Sequence, residues 1–157
     1  MAILVSYTDE SGISHADAYV AHSKIRFDVE NKIAFILVSA YKSRASRVAG
    51  KAPLSGKKTL SVNVDVEDYE NYFSNEILNT TGLNYITQCY KYLKSIDPNE
   101  ENSKHSYFCW DLKNDGIHSL SSTQRDDAHW AWVSGDVIYN ETIESKQQYD
   151  GSTWNNI

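Results

Sequence analysis

The sequence predicts an α+β fold, in which one amphipathic helix packs on a three-stranded antiparallel sheet and a β-rich aromatic lobe follows. Three observations lead to this class. Polar and apolar residues alternate in residues 17–28 and 59–66, a helical apolar stripe occupies residues 83–96, and all four tryptophans come after residue 104. With 157 residues, the chain has the length of one domain or of one domain with an appended lobe.

The first two predicted strands form a hairpin. Residues 17–28 alternate with period two, as a strand with one buried face does. This alternation places five side chains on one face: Tyr19, Ala21, Ser23, Ile25 and Phe27. Residues 33–41 are apolar on both faces and rich in β-forming residues, so they predict a central strand. The short polar connector between the two segments indicates antiparallel pairing.

Residues 42–58 break the periodicity and contain Gly50, Pro53 and Gly56, which predicts a long exposed loop. Five cations of this loop are candidate interface residues: Arg44, Arg47, Lys51, Lys57 and Lys58. The whole chain carries a formal charge of -6. A basic loop on such an acidic chain is expected to dock on an acidic surface of a neighbouring copy or partner. The alternative is that the loop is solvated and binds no partner.

The remaining core elements are a third strand and a helix. Residues 59–66 alternate cleanly and predict the strand, whereas residues 67–81 predict no more than a short helical turn. In residues 83–96 apolar positions recur at helical spacing, and Pro98 ends the pattern, which predicts an amphipathic helix across one face of the sheet. These elements complete a predicted core domain of residues 1–97.

Residues 98–104 are polar throughout and predict a linker to a lobe of residues 105–157. Turn residues at 114–116 and 134–135 predict two hairpins in the lobe, and the polar residues 144–157 predict a loosely ordered arm. Trp and Tyr are enriched in protein interfaces. The lobe therefore contributes five further interface candidates: Trp110, Trp130, Trp132, Tyr149 and Trp154.

Composition and motifs exclude several function classes. The net negative charge argues against binding to nucleic acid or to an anionic membrane, and no apolar run approaches the length of a membrane span. Cys89 and Cys109 show no metal-binding spacing and predict free thiols. Motifs for cofactors and catalysis are missing, so we expect neither cofactor nor metal nor enzymatic activity. The amino terminus lacks the features of a secretory signal, which predicts a cytoplasmic site of synthesis and assembly.

A carbohydrate-binding accessory module is the alternative function. Flat aromatic rings stack on the apolar faces of sugars, and Trp130 and Trp132 share one side of a predicted strand. With Trp110 they provide a candidate sugar platform. Packing in a core or in a subunit contact remains the expected use of these rings.

The order of motifs over residues 17–95 resembles that of small proteins encoded in the tail and baseplate gene modules of tailed bacteriophages. The matching segments are Asp17-Ala-Tyr-Val20, Ile25-Arg-Phe27, Ala40-Tyr-Lys42, Lys51-Ala-Pro-Leu54, Gly82-Leu-Asn84 and the helix from Gln88 to Lys94. In the relatives an alanine is usual where Cys89 stands, and they lack residues 99–157.

The resemblance implies a non-enzymatic structural component of the virion, in the tail or baseplate. Such a protein would bind other virion proteins and copies of itself, and would be assembled in the cytoplasm of the host bacterium. The family offers no catalytic residues to transfer. It implies only fold positions: Tyr19, Arg26, Tyr41, Gln88, Tyr90 and Leu93.

Overall fold

A computed structural model describes residues 1–54, 60–81, 84–96, 112–126 and 132–157. Eight strands form one mixed sheet in the order β4-β3-β2-β1-β5-β6-β7-β8. Their bounds are β1 Ala2–Thr8, β2 Ser14–Asp28, β3 Ile33–Tyr41, β4 Leu60–Val64, β5 Ile117–Leu120, β6 Val137–Asn140, β7 Ser145–Tyr149 and β8 Trp154–Asn156. Neighbouring strands are antiparallel except β5 and β6, which are parallel.

Five helices of the described residues accompany the sheet: α1 Arg44–Val48, α2 Val66–Phe73, α3 Asn75–Thr81, α4 Tyr85–Ser95 and α5 Ser122–Arg125. Side-chain caps define where several of them begin. Asp65 accepts a hydrogen bond from the Asp68 amide at the start of α2, and Asn84 accepts one from the Thr87 amide at the start of α4. Over the ranges given above, each helix falls short of the length and hydropathy that a membrane span requires.

The predicted three-stranded sheet packed by one helix is wrong, because the sheet has eight strands. The first strand escaped prediction since Ala2, Ile3, Leu4 and Val5 are all buried, so β1 shows no alternation. It lies inside the sheet, between β2 and β5. Strand β5 pairs with β1, so the strands of residues 117–156 continue the sheet that the N-terminal strands form.

The hairpin of β2 and β3, the strand β4 and the helix α4 lie within or close to their predicted ranges. The predicted common face of β2 is wrong. One extra residue between His22 and Lys24 interrupts the pairing with β3. This bulge moves every later side chain to the other face. Tyr19 and Ala21 therefore face one side of the sheet, and Ile25 and Phe27 face the other.

The two sides of the sheet differ in their cover. Helices α2 and α4 pack on one side, which we call the helical face, with a core that includes Val20, Ile36, Phe73, Tyr90 and Leu93. The opposite side, which we call the α1 face, carries a smaller cluster of Ala2, Leu4, Tyr19 and Ala21. Within the described residues, α1 is the helix that borders this second cluster.

Two further predictions need correction, and another falls partly outside the described residues. Helix α1 lies inside the predicted exposed loop; it buries no side chain and so leaves no periodic signal. The first strands of the two predicted C-terminal hairpins fall largely outside the described residues, whereas β5 has β1 and β6 as its neighbours, and β6 has β5 and β7. The segment predicted as a loose arm holds β7 and β8. The predicted linker at residues 98–104 lies outside the described residues.

Candidate functional site

A pocket of about 610 Å³ opens on the α1 face. Leu4, Tyr19 and Tyr139 reach it from β1, β2 and β6, and residues of α1 line another side. Charged side chains of both signs surround it: Asp17, Lys42, Arg44, Glu141, Glu144 and Lys146. We call this the Glu141 pocket. It combines an apolar and aromatic interior with a charged rim.

Glu141 is the most enclosed charged group of the pocket, with a side chain that is 8% exposed. Its Oε1 atom accepts hydrogen bonds from Ser119 Oγ at 2.8 Å and from Tyr19 Oη at 3.3 Å. Its Oε2 atom lies 3.6 Å from Arg44 Nε. A buried carboxylate requires such partners, because desolvation without them would cost several kcal/mol. These contacts therefore hold Glu141 in one position.

Tyr19 is the second buried polar group of the pocket. Burial and then the negative charge of Glu141 raise the pKa of the Tyr19 phenol above its ordinary value. The phenol therefore stays protonated at neutral pH and donates to Glu141. Tyr19 is thus a fixed hydrogen-bond donor in the pocket rather than a base.

Helix α1 is attached to β2 at the bulge. Ser43 caps its N-terminus by accepting from the Ser46 amide, and Arg47 Nη2 donates to the His22 carbonyl oxygen at 3.1 Å. The His22 amide donates in turn to Tyr90 Oη at 2.9 Å. A five-residue helix is unstable alone, so these tertiary contacts position it. Arg47 therefore helps to position α1 on β2.

The other described cations of the predicted basic loop are exposed to solvent. The Arg44 side chain is 58% exposed, and Lys42 and Lys51 are exposed as well. On the far rim of the pocket, Lys146 Nζ lies 3.3 Å from Asp17 Oδ1. Lys57 and Lys58 lie outside the described residues. The structure thus brings Arg44 and Lys42 to the pocket, while Arg47 contacts β2.

The three described aromatic interface candidates, Trp132, Tyr149 and Trp154, lie elsewhere in the molecule. The rings of Trp132 and Trp154 meet edge to face at 5.2 Å between centroids, and Tyr149 lies 5.2 Å from Trp154. Trp132 Nε1 also donates to the Arg125 carbonyl oxygen. This cluster packs beside Leu120 and Ile138 rather than in the Glu141 pocket. Trp110 and Trp130 lie outside the described residues. The predicted sugar platform of Trp110, Trp130 and Trp132 therefore stays a prediction.

The described residues contain one cysteine and no group of metal ligands. Cys89 is a free thiol, as predicted, and burial raises its pKa to about 12, which keeps it protonated at neutral pH. Across the part of the chain that the structure describes, no three His, Cys, Asp or Glu side chains form a metal-binding group. Cys109 lies outside those residues.

Sequence reasoning missed Tyr139, Glu141, Glu144 and Lys146 as parts of the site. The available signal was the pair of acidic residues that begins and ends the turn between β6 and β7. Comparison with family models, with curated proteins and with solved structures finds no match. The pocket geometry and the motif order of residues 17–95 are therefore what support a function.

Proposed function

We propose that the protein is a non-enzymatic structural component of a bacteriophage virion, placed in the tail or baseplate, that assembles through protein–protein contacts. The observation that supports this proposal is the Glu141 pocket. Its buried carboxylate accepts hydrogen bonds from Ser119 and Tyr19 of the same chain. Such a group maintains the shape of a preformed recess that a partner side chain enters.

The composition of the pocket suits a protein partner. Protein interfaces combine an apolar, aromatic centre with a polar rim, and charges on the rim set orientation and association rate. In this pocket the apolar and aromatic centre consists of Leu4, Tyr19 and Tyr139. Part of the charged rim consists of the exposed residues Arg44 and Lys42. Binding of this kind requires no cofactor. The resemblance of residues 17–95 to proteins of phage tail modules is the reason for proposing an assembly of that kind.

The direct test is the protein composition of purified particles of the phage that encodes this chain. Quantitative mass spectrometry should find the chain in particles purified on a density gradient, at a copy number in a fixed ratio to known tail proteins. If the chain is abundant in the lysate but missing from purified particles, the structural role is wrong.

The pocket is tested by a charge reversal at its rim. Lys42→Glu with Arg44→Glu should weaken association with copies of the chain or with tail proteins in light scattering and pull-down measurements. A Lys113→Glu variant is the matched control, because Lys113 lies in the segment before β5 and outside the pocket. Equal association of the double variant and the wild type at low salt would contradict a binding role for the pocket.

A further inference from the structure

A second surface of the α1 face lies on β2 and β3, outside the Glu141 pocket. The bulge of β2 turns Lys24 and Arg26 onto this face, where they are exposed. In the register of the hairpin, Lys24 pairs with Leu37 and Arg26 pairs with Phe35. Paired residues of neighbouring strands share a face and touch. A cationic row therefore lies beside an apolar row, and we call these four residues the basic strip.

The basic strip has the character of a binding surface. Phe35 is 38% exposed although β3 is an interior strand of the sheet. Asp28, the acidic residue at the end of the same row, accepts hydrogen bonds from the backbone and side chain of Asn31. Its carboxylate is therefore used locally and leaves the two cations of the strip for another partner. A suitable partner offers an apolar side chain beside exposed carboxylates.

The same chain carries such a surface on its other side. Residues 65–81 contain five acidic residues and no basic one: Asp65, Glu67, Asp68, Glu70 and Glu76. Helix α2 buries Tyr69 and Phe73 against the helical face, so its polar residues face away from the sheet. Glu67 and Glu76 are exposed, and Val66 beside Glu67 is 51% exposed.

The other acidic residues of this segment have partners within the chain. The Asp68 carboxylate accepts from Tyr92 Oη at 2.9 Å, Glu70 forms an ion pair with Lys32, and Asp65 caps α2. Glu67 and Glu76 are thus the acidic side chains of α2 and α3 that suit an intermolecular contact. We call these two glutamates, near the starts of α2 and α3, together with exposed Val66, the acidic surface.

We propose that the basic strip of one copy binds the acidic surface of a second copy. This inference rests on the proposed function, because it specifies one contact by which the assembly forms. Val66 would pack on Phe35 and Leu37, while Glu67 and Glu76 would pair with Arg26 and Lys24. The two surfaces lie on opposite sides of the sheet, so the contact is heterologous. Repeated heterologous contacts build closed rings or open filaments.

Charge reversal in both directions tests this contact. One variant carries Lys24→Glu with Arg26→Glu, and the other carries Glu67→Lys with Glu76→Lys. All four positions are exposed, so both variants should keep the wild-type circular dichroism and melting temperature. In light scattering at low salt, each variant alone should associate at least about tenfold more weakly than the wild type, because its two surfaces now repel.

Mixing the two variants should restore association, because every contact between unlike copies again joins opposite charges. A single chain with all four substitutions should also associate. The matched control is Lys51→Glu with Lys113→Glu, which makes the same charge change outside both surfaces and should associate like the wild type.

The possible failures separate this inference from the proposed function. If the wild type associates and either reversal variant associates equally well, the inference is wrong. The proposed structural role would be unaffected by that result. The inference would also be wrong if both variants lose association and mixing them does not restore it. In that case the basic strip and the acidic surface would not bind each other. A wild type that stays monomeric at every concentration and salt would refute self-contact, and the composition of purified particles would decide the structural role independently.

Discussion

The two halves of the sheet are stabilised by different interactions. Strands β1 to β4 lie under α2 and α4, and the interface between them is apolar and aromatic. Among the described residues, strands β5 to β8 bury Leu120 and Ile138 as a small core of their own, with Trp132 and Trp154 packed against them. Side-chain hydrogen bonds accompany this small core.

The aromatic residues of the first half contact one another in a continuous series. Phe27 lies 5.5 Å from Phe73 and 4.4 Å from Tyr85, measured between ring centroids. Tyr92 meets Phe73 at 6.1 Å, nearly perpendicular. Large rings bury more area than aliphatic side chains do and gain from edge-to-face geometry. These ring contacts therefore add to the stability that the aliphatic core supplies in this half.

A chain of amide side chains joins the strands of the second half. Gln147 Oε1 accepts from Asn140 Nδ2 at 2.8 Å and from Arg125 Nη1 at 2.8 Å, and Gln147 Nε2 donates to Asn156 Oδ1 at 2.9 Å. Both Asn140 and Gln147 are buried. Each hydrogen bond contributes little net stability, but a wrong strand register would leave buried amides unsatisfied. The polar chain thus specifies register where apolar contacts are few.

The largest expected effect is the loss of apolar volume in the first half. Leu93→Ala should lower the free energy of unfolding by about 2 to 5 kcal/mol, because Leu93 is fully buried in the core between α4 and the sheet. Denaturant titration measures the change. Ile86→Ala on the same helix is the control, since Ile86 is 41% exposed and should cost far less. Equal losses would mean that α4 does not pack as described.

The next effect is expected from the amide chain of the second half. Gln147→Leu should cost about 1 to 3 kcal/mol despite its added apolar surface, because it leaves buried donors of Asn140 and Arg125 without this acceptor. Gln148→Leu, one residue later and exposed, should change stability by less than about 0.5 kcal/mol. If Gln147→Leu instead raised the free energy of unfolding, burial of apolar surface at this position would stabilise the second half more than the hydrogen bonds of Gln147 do.

Acidification should destabilise the junction between the halves. Burial, with the positive charges of Lys94 and Lys91, lowers the pKa of the His118 imidazole to about 3. In the unfolded chain a histidine titrates near 6.5, so the unfolded state binds a proton first as the pH falls. Stability contributed by neutral His118 is therefore complete above about pH 6.5 and is lost progressively toward pH 3.

Between pH 7 and pH 5 this loss should amount to about 1 to 2 kcal/mol in denaturant titrations. His118→Gln should reduce that pH dependence, whereas His15→Gln, in β2 beside Asp9, should leave most of it unchanged. Parallel pH profiles for the wild type and His118→Gln would contradict the assignment.

The smallest effect is expected at the rim of the Glu141 pocket. Lys146→Ala removes the exposed ion pair with Asp17 and should change the free energy of unfolding by less than about 1 kcal/mol. Thermal melting at low and high salt measures the change. A cost comparable to that of Leu93→Ala would show that this rim, rather than the aromatic core, supports the fold.

Local periodicity predicted some elements because one side of each contacts the core and the other meets solvent. The strands β2, β3 and β4 and the helix α4 belong to this group. Even there, the helical pattern counted Ile86 as apolar cover although it is exposed, and it missed the burial of Tyr92, whose hydroxyl reaches Asp68. An apolar stripe shows that a helix packs, but it does not fix the angle at which the helix meets the sheet.

Other elements left no local signal. Strand β1 is buried on both faces, and β7, with the sequence Ser-Lys-Gln-Gln-Tyr, is polar on both. Strand β7 is a strand because it pairs with β6 and β8 and because Gln147 finds buried partners there. No window of the sequence contains that information, since the partners are spread over residues 125–156.

By itself, the sequence determined an acidic, aromatic-rich chain with a β2–β3 hairpin, a following strand, an amphipathic helix and a concentration of cations after β3. Only the tertiary structure decided which face each side chain of β2 occupies, and that Arg44 meets Glu141 across the α1 face. The physical reason is that a bulge exchanges the two faces for all later side chains of the strand, while the amino-acid sequence of the strand shows no sign of it. Contacts between residues distant in sequence form only when the sheet brings their strands together.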